Sequence, residues 1–347
     1  MKKSYEIWIE SLPDVKPYYA VKCNPDLQIL DVLGKLGVAF DCASPFEIES
    51  VLALGNTSQT IIYANPCKKE TDIKFAVENN IHLSTFDTLC ELEKISKIDK
   101  NAELILRIYA SDSQAKCILS DKYGAIEAEW EGLLSRAHEL NVKIIGISFH
   151  IGSGASNPKA FQKAITQARR LYNVATKKYN FPIKILDLGG GFTQENIHKM
   201  SPVINEALKL DFGDIIATVS DFKIIGEPGR YFAENVATLF TKIIGIRERT
   251  DSIDYWITDS IYGSFNCLIY DHANLMPSIV INKNEEQIST TIYGPTCDGY
   301  DIILSNKQLP RMKYGDWLVW PNMGAYTIAA ACDFNGLSLT KPRKLYI

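Results

Sequence analysis

Long apolar runs are missing from this chain: none approaches the ~18 residues that a membrane-spanning helix needs. Charge of one sign is missing too. The sequence has 37 Lys and Arg against 41 Asp and Glu, a formal net charge of −4, which creates no field for nucleic acid or an anionic membrane. Lys2 and Lys3 are not followed by an apolar stretch before Glu10 and Asp14, so no secretory leader is expected. The eight cysteines show no Cys-x-x-Cys and no paired Cys/His spacing. Structural zinc is therefore not expected, no metal site is assigned, and a reducing cytoplasm suits such thiols. Neither low-complexity segments nor repeats of solenoid period occur.

What is present is a regular alternation. Apolar strand-like runs at 18–23, 38–42, 60–64, 82–86, 103–109, 143–150, 184–188 and 222–226 alternate with segments of 3.6-residue apolar period, such as Leu27, Ile29, Leu30, Leu33 and Leu36. Ser44-Pro45 and Ser156-Asn157-Pro158 open helices with a cap followed by proline in the first turn. Strand–helix alternation implies a parallel sheet with right-handed crossovers. Eight such units in roughly 225 residues predict a closed (β/α)₈ TIM barrel, a fold typically of ~250 residues. A doubly wound sheet calls for Gly-x-Gly-x-x-Gly after the first strand, where this chain has Lys22-Cys23-Asn24. After Arg230 the texture changes to short β-rich runs at 237–244, 254–257, 278–281, 290–293, 317–320 and 344–347, separated by turns such as Asp298-Gly299. The expected architecture is thus α/β, a barrel over 14–233 followed by a C-terminal antiparallel β-domain over 234–347.

In a barrel the chemistry sits at the C-terminal strand ends. Those ends carry Lys22, Asp41, Arg107, His150, Asp187 and Glu227, together with three glycine-bearing turns: Gly152-Ser153-Gly154, Gly189-Gly190-Gly191 and Gly229-Arg230. Lysine is rarely buried without a partner. Lys22 in an apolar run either lifts its ammonium to water or serves as a Schiff-base amine. The glycine turns offer backbone N–H groups to an anion, and Arg230 adds a bidentate donor. Each motif alone reads as an ordinary loop or surface turn. Their convergence on one rim, after strands seven and eight, points to pyridoxal phosphate, which needs a lysine, an anion cradle and a carboxylate beside the ring nitrogen.

These segments, with Tyr262-Gly263-Ser264-Phe265-Asn266, Tyr270-Asp271-His272-Ala273, Gly294-Pro295-Thr296-Cys297-Asp298-Gly299 and Met323-Gly324-Ala325-Tyr326-Thr327, follow one order along nearly the whole chain. In that order they resemble the eukaryotic-type ornithine decarboxylases, pyridoxal-phosphate-dependent group IV decarboxylases of alanine-racemase-like fold. The resemblance implies decarboxylation of L-ornithine to putrescine, a step of polyamine biosynthesis. It implies that Lys22 carries the cofactor, that Glu227 pairs with the ring nitrogen and that His150 stacks on the ring. Ser153, Gly189, Gly190, Gly191, Gly229, Arg230 and Tyr326 would hold the phosphate, with Asp41 and Arg107 on the lysine side. Cys297 would protonate Cα, Asp271 and Asp298 would receive the distal ammonium, and Tyr262 and Phe334 would line the pocket. The resemblance also implies a homodimer with shared sites: Cys297 and Asp298 would reach the other protomer, and Lys122 would pair with Asp301 between subunits. The family's N-terminal strand of the β-domain has no counterpart here, so a smaller or differently closed β-domain is expected. Alternatives are a lysine or arginine decarboxylase, or an inactive regulator like the antizyme inhibitors. Retention of Lys22, Glu227, Cys297 and Asp298 favours an enzyme, and nothing in the sequence indicates an antizyme-like partner.

Overall fold

The structure is a computed structural model that describes residues 1–110, 122–279 and 286–346. It divides into two compact units, Met1–Phe232 and Ala233–Ile347.

The first unit begins with helix α1 (Lys2–Ser11). Eight strands follow: β1 (Val15–Ala20), β2 (Ala39–Cys42), β3 (Ile61–Tyr63), β4 (Leu83–Phe86), β5 (Glu103–Ile108), β6 (Lys143–Phe149), β7 (Ile185–Asp187) and β8 (Lys223–Gly226). They pair in sequence order into a closed parallel barrel, which β8 completes on β1 through Val15–Ile224, Lys16–Ile225 and Pro17–Gly226. Helices separate the strands, and the expected caps are in place. Ser44 accepts from the Glu47 N–H and Asn157 from the Lys159 N–H, each followed by proline at the first helical position.

The barrel interior explains where the chemistry falls. Tyr18, Ala39, Ile62, Ile105, Ile145, Ile185 and Ile225 form one buried layer, with Leu83 packed against it, so that every strand supplies a side chain. Strand side chains alternate with period two. The next interior position beyond Ala39, Ile105, Ile185 and Ile225 is therefore Asp41, Arg107, Asp187 and Glu227. An apolar floor carries a charged layer directly above it, at the C-terminal mouth.

One expectation needs correction. Lys22 is not on a strand. β1 starts at Val15, ends at Ala20, and gives way to a single 3₁₀ turn, Val21–Cys23, that carries the lysine. The turn closes through Asn24 N–H to Val21 O and is braced by the Tyr19 hydroxyl on Asn24 O. Pairing with β8 and β2 uses residues 15–20, so the lysine lies beyond the ladder, free of strand geometry.

The second unit is a six-stranded sheet of β9 (Leu239–Glu248), β10 (Ser252–Ile257), β11 (Ser278–Ile279), β12 (Gln287–Tyr293), β13 (Ile302–Pro310) and β14 (Trp317–Trp320). Their order is β11-β14-β9-β10-β12-β13. The pairing is antiparallel except between β10 and β12, which run parallel. Tyr255, Ile243, Phe265 and Trp320 centre its core. The run at 344–347 is not a strand over its described residues 344–346, and residues 280–281 of the 278–281 run lie outside the described residues. β13 went unseen in the sequence because its middle, Ser305 to Gln308, is polar and exposed and bends at Asn306 (φ 52°).

Candidate active site

A cavity of about 490 Å³ opens at the mouth of the barrel, lined among others by Lys22, Arg107, Ser148, His150, Asp187 and Glu227. That size suits a small cofactor. Lys22 Nζ lies 2.8 Å from Asp41 Oδ2, and its side chain keeps 40% of its exposure while Asp41 keeps none, so a fixed carboxylate aims an accessible amine. The other oxygen, Asp41 Oδ1, is buried without a hydrogen-bond partner. The Arg107 guanidinium stacks on Tyr123, 5.3 Å from the ring centre.

His150 faces the cavity with its tautomer set by the backbone: Gly152 N–H donates to Nδ1 at 3.0 Å, leaving the proton on Nε2. Burial, then the cations Arg107 and Lys22, hold its imidazole well below the usual range, so a neutral flat ring is presented. Gly190 is what lets the ring sit there. A Cβ at that position would come within 2.7 Å of His150 Nε2. Gly189 turns the chain with φ +62°, and a Cβ there would meet the Phe149 carbonyl oxygen at 2.2 Å. Gly190→Ala should displace the histidine and weaken cofactor binding by roughly tenfold to a hundredfold, the range of an overpacking penalty, with little change in melting temperature. Titration of cofactor absorbance checks it; unchanged affinity would show that the ring does not depend on this glycine.

The three glycine turns lie together at one edge of the mouth. The Gly191 carbonyl accepts from Ala155 N–H at 3.1 Å and from Asn196 Nδ2, which also donates to Ala155 O. Arg230 Nη2 reaches Ser153 Oγ at 3.5 Å. Gly229 approaches the lysine turn, where a Cβ would meet Cys23 Cβ at 2.9 Å. Behind these turns stands α1. Its buried Trp8 packs edge-on against Phe192 (4.9 Å) and Tyr231 (5.3 Å), the residues that follow Gly191 and Arg230. Gln194 Nε2 and the Tyr231 hydroxyl donate to Ser4 Oγ and Ser4 O, tying the same elements to the helix.

Sequence reasoning gave no role to several residues here. Asp187 is fully buried in the cavity wall, Tyr123 sits under Arg107, and Glu47 anchors the wall by accepting from Ala43 N–H at 2.6 Å. Burial pushes the Glu47 carboxyl up to about 7. The signal for Asp187 was available: an acid between Leu186 and Leu188 in a fully buried strand.

In the second unit the structure brings together Tyr262, Asp298 and Phe334. The two rings stack 4.2 Å apart at 15°, and the Tyr262 hydroxyl donates to Asp298 Oδ2 at 2.6 Å. That hydrogen bond holds the Asp298 carboxyl below its usual range and pushes the Tyr262 phenol up to about 12. Cys297 is exposed, its N–H donating to Asn335 Oδ1 at 3.0 Å. Asp271 is buried where the Cys267–Tyr270 turn ends, and Tyr326 takes a left-handed backbone (φ 54°). Asp301 is buried and accepts from Ser260 Oγ, Ile261 N–H and Thr296 Oγ1, which fixes the hairpin loop bearing Cys297 and Asp298.

An accessible lysine on a carboxylate, a neutral histidine, buried acids and a backbone cradle that side chains would fill make up a site fit for pyridoxal phosphate. Lys22 would take the aldehyde, the cradle with Ser153 and Arg230 the phosphate, and Glu227 the ring nitrogen. The fold and this site define a pyridoxal-phosphate barrel.

Comparison with known proteins narrows the class. Residues 1–234 match the family described as pyridoxal-dependent decarboxylase, pyridoxal binding domain. The chloroplastic ornithine decarboxylase of Nicotiana glauca is 43% identical over 342 residues, 95% of this chain and 78% of the relative. Antizyme inhibitor 2 of Xenopus laevis is 41% identical over 348 residues, 95% of this chain and 75% of the relative. The crystal structure of the Paramecium bursaria Chlorella virus arginine decarboxylase superposes with a TM-score of 0.92 at 38% identity, covering 96% of this chain and 90% of that one. The chain belongs to the pyridoxal-dependent decarboxylases, and its cofactor is pyridoxal phosphate. Among the described residues no helix is long and apolar enough to cross a membrane.

Proposed function

We propose that this enzyme decarboxylates L-ornithine to putrescine, as a cytoplasmic homodimer in which Cys297 and Asp298 of one protomer complete the site of the other. The observation that carries the substrate assignment is Asp298: Tyr262 holds its carboxyl ionised beside a stacked aromatic pair, a suitable end point for a distal ammonium. Asp271, in Tyr270-Asp271-His272, supplies the second carboxylate. A cation entering a partly dry pocket requires such counter-charges. The cytoplasmic assignment is supported by the absence of disulfides among the described cysteines.

In this reading Lys22 is the nucleophilic amine, and Asp41 orients it and takes up its charge. Neutral His150 offers a flat face without competing for protons. Arg230, Ser153 and the glycine turns neutralise and anchor a phosphate. Glu227 keeps a proton beside the ring nitrogen. The bound cofactor supplies an electron sink for the pair left when the Cα–carboxylate bond breaks. Cys297 then gives its thiol proton to Cα, directing protonation to that carbon, while Asp298 and Asp271 hold the far ammonium.

The decisive experiment is amine-product formation from ornithine, lysine and arginine measured side by side. Ornithine should have the largest kcat/KM, because a site that fixes the ammonium at one depth disfavours longer chains. A larger value for lysine or arginine would refute the substrate assignment.

A further inference from the structure

Asp187 belongs to none of the roles above, yet it is a fully buried carboxyl in the cavity wall. Its Oδ1 accepts from Gly189 N–H at 2.8 Å, and the Gly189 carbonyl in turn accepts from Glu227 N–H at 2.7 Å. This short relay across β7 and β8 sets the two acids side by side. Asp187 Oδ2 meets no donor from any amide, hydroxyl or cation. The Glu227 carboxyl lies in the same cavity wall, close enough for the two acids to act on each other. With no cation between them, two carboxylates in a dry wall do not both ionise, so the pair keeps a proton until the ring nitrogen takes it and becomes their countercharge.

We propose that Asp187 and Glu227 form an acid pair holding one proton between them, that Glu227 donates this proton to the ring nitrogen of pyridoxal phosphate, and that Asp187 is the positioning residue that keeps it there. The inference rests on the assignment of Glu227 to the ring nitrogen. In the transfer the Glu227 O–H bond breaks, its electron pair stays on the carboxylate, and an N–H bond forms, so no further reactant is needed. The surroundings favour this. Facing Asp187 are Tyr18 from β1, Asp41 from β2, Arg107 from β5 and Ser148 beside it on β6, with Glu227 after β8. Arg107 and Lys22 oppose the negative field, but burial dominates for both acids. It raises the Asp187 carboxyl to about 7, and burial with the Asp187 charge raises Glu227 well above the usual carboxylate range.

The test is nitrogen NMR of the holoenzyme loaded with pyridoxal phosphate carrying a labelled ring nitrogen, followed against pH. The unsubstituted enzyme should keep that nitrogen protonated through the neutral range, and Glu227→Gln should lose it. Asp187→Asn, which preserves shape and can still accept from Gly189, should lower the pH at which the proton leaves by about one unit or more, because a buried negative neighbour has been removed. An Asp187→Asn trace that matches the unsubstituted enzyme, with Glu227→Gln altered, overturns the proposal and leaves the Glu227 assignment standing. A trace unchanged in Glu227→Gln overturns that assignment itself. Should Asp187→Asn fail to fold, the infrared spectrum of the unsubstituted chain decides. A protonated-carboxyl band is expected at neutral pH after cofactor removal, disappearing on reloading, and absence of the band overturns the proposal.

Discussion

Lys22→Ala is expected to abolish decarboxylation, by roughly 10³-fold or more, and to remove the visible absorption of bound cofactor. The reason is covalent: among the described residues no other amine in the cavity wall stands on a carboxylate as Lys22 does on Asp41, at 2.8 Å. The substitution also strips Asp41, 1% exposed, of its cation, and an unpaired buried carboxylate costs about 1–3 kcal/mol of stability or takes up a proton. Lys22→Arg separates the two effects. It restores a cation without a competent nucleophile, so it should recover melting temperature while remaining inactive and colourless. A coloured, active Lys22→Ala would remove the lysine from the mechanism. The same measurement distinguishes this chain from the antizyme inhibitor it resembles at 41% identity, since a regulator has no need of a chromophore on Lys22.

Cys297→Ala should lose most putrescine formation and divert carbon to an aldehyde by-product, because the proton for Cα must then come from a group placed elsewhere. Mixing it with Lys22→Ala tests the shared site. Random pairing makes half of the dimers mixed, and each mixed dimer has one intact site of two, so activity should return to roughly a quarter of the unsubstituted level. No recovery would place Lys22 and Cys297 of the same protomer in one site. Unchanged product in Cys297→Ala alone would remove the thiol from proton delivery.

Much of the barrel was legible because its strands are buried on both faces. Ile61–Tyr63 is a wholly apolar run, Lys143–Phe149 is buried at every position after its exposed lysine, and the helices between strands announce themselves by period and cap. The β-domain was harder. A strand such as β13, exposed along its middle and bent at Asn306, carries neither a run nor a clean alternation. The parallel pairing of β10 with β12 also leaves no local mark, since register between distant strands is decided by tertiary packing. At the site, the residues with distinctive chemistry could be named in advance. Those that act through neighbours could not. Trp8 looked like one more apolar residue of an opening helix, and Asp187 like a polar strand end, because their meaning comes from what the fold lays beside them.

The bonds from Ser4 to Gln194 and Tyr231 span 190 and 227 residues of sequence. With β1 closing on β8, they make the assembly of the anion cradle a matter of late, non-local encounters. On a ribosome α1 emerges long before Phe192, Gln194 and Tyr231, and its packing is complete only when all three have followed. During that interval Trp8, wholly enclosed in the finished barrel, is bare apolar surface. The acquisition of the cofactor is thereby coupled to the completion of folding: a nascent chain cannot bind its phosphate firmly until its two ends of the barrel have met.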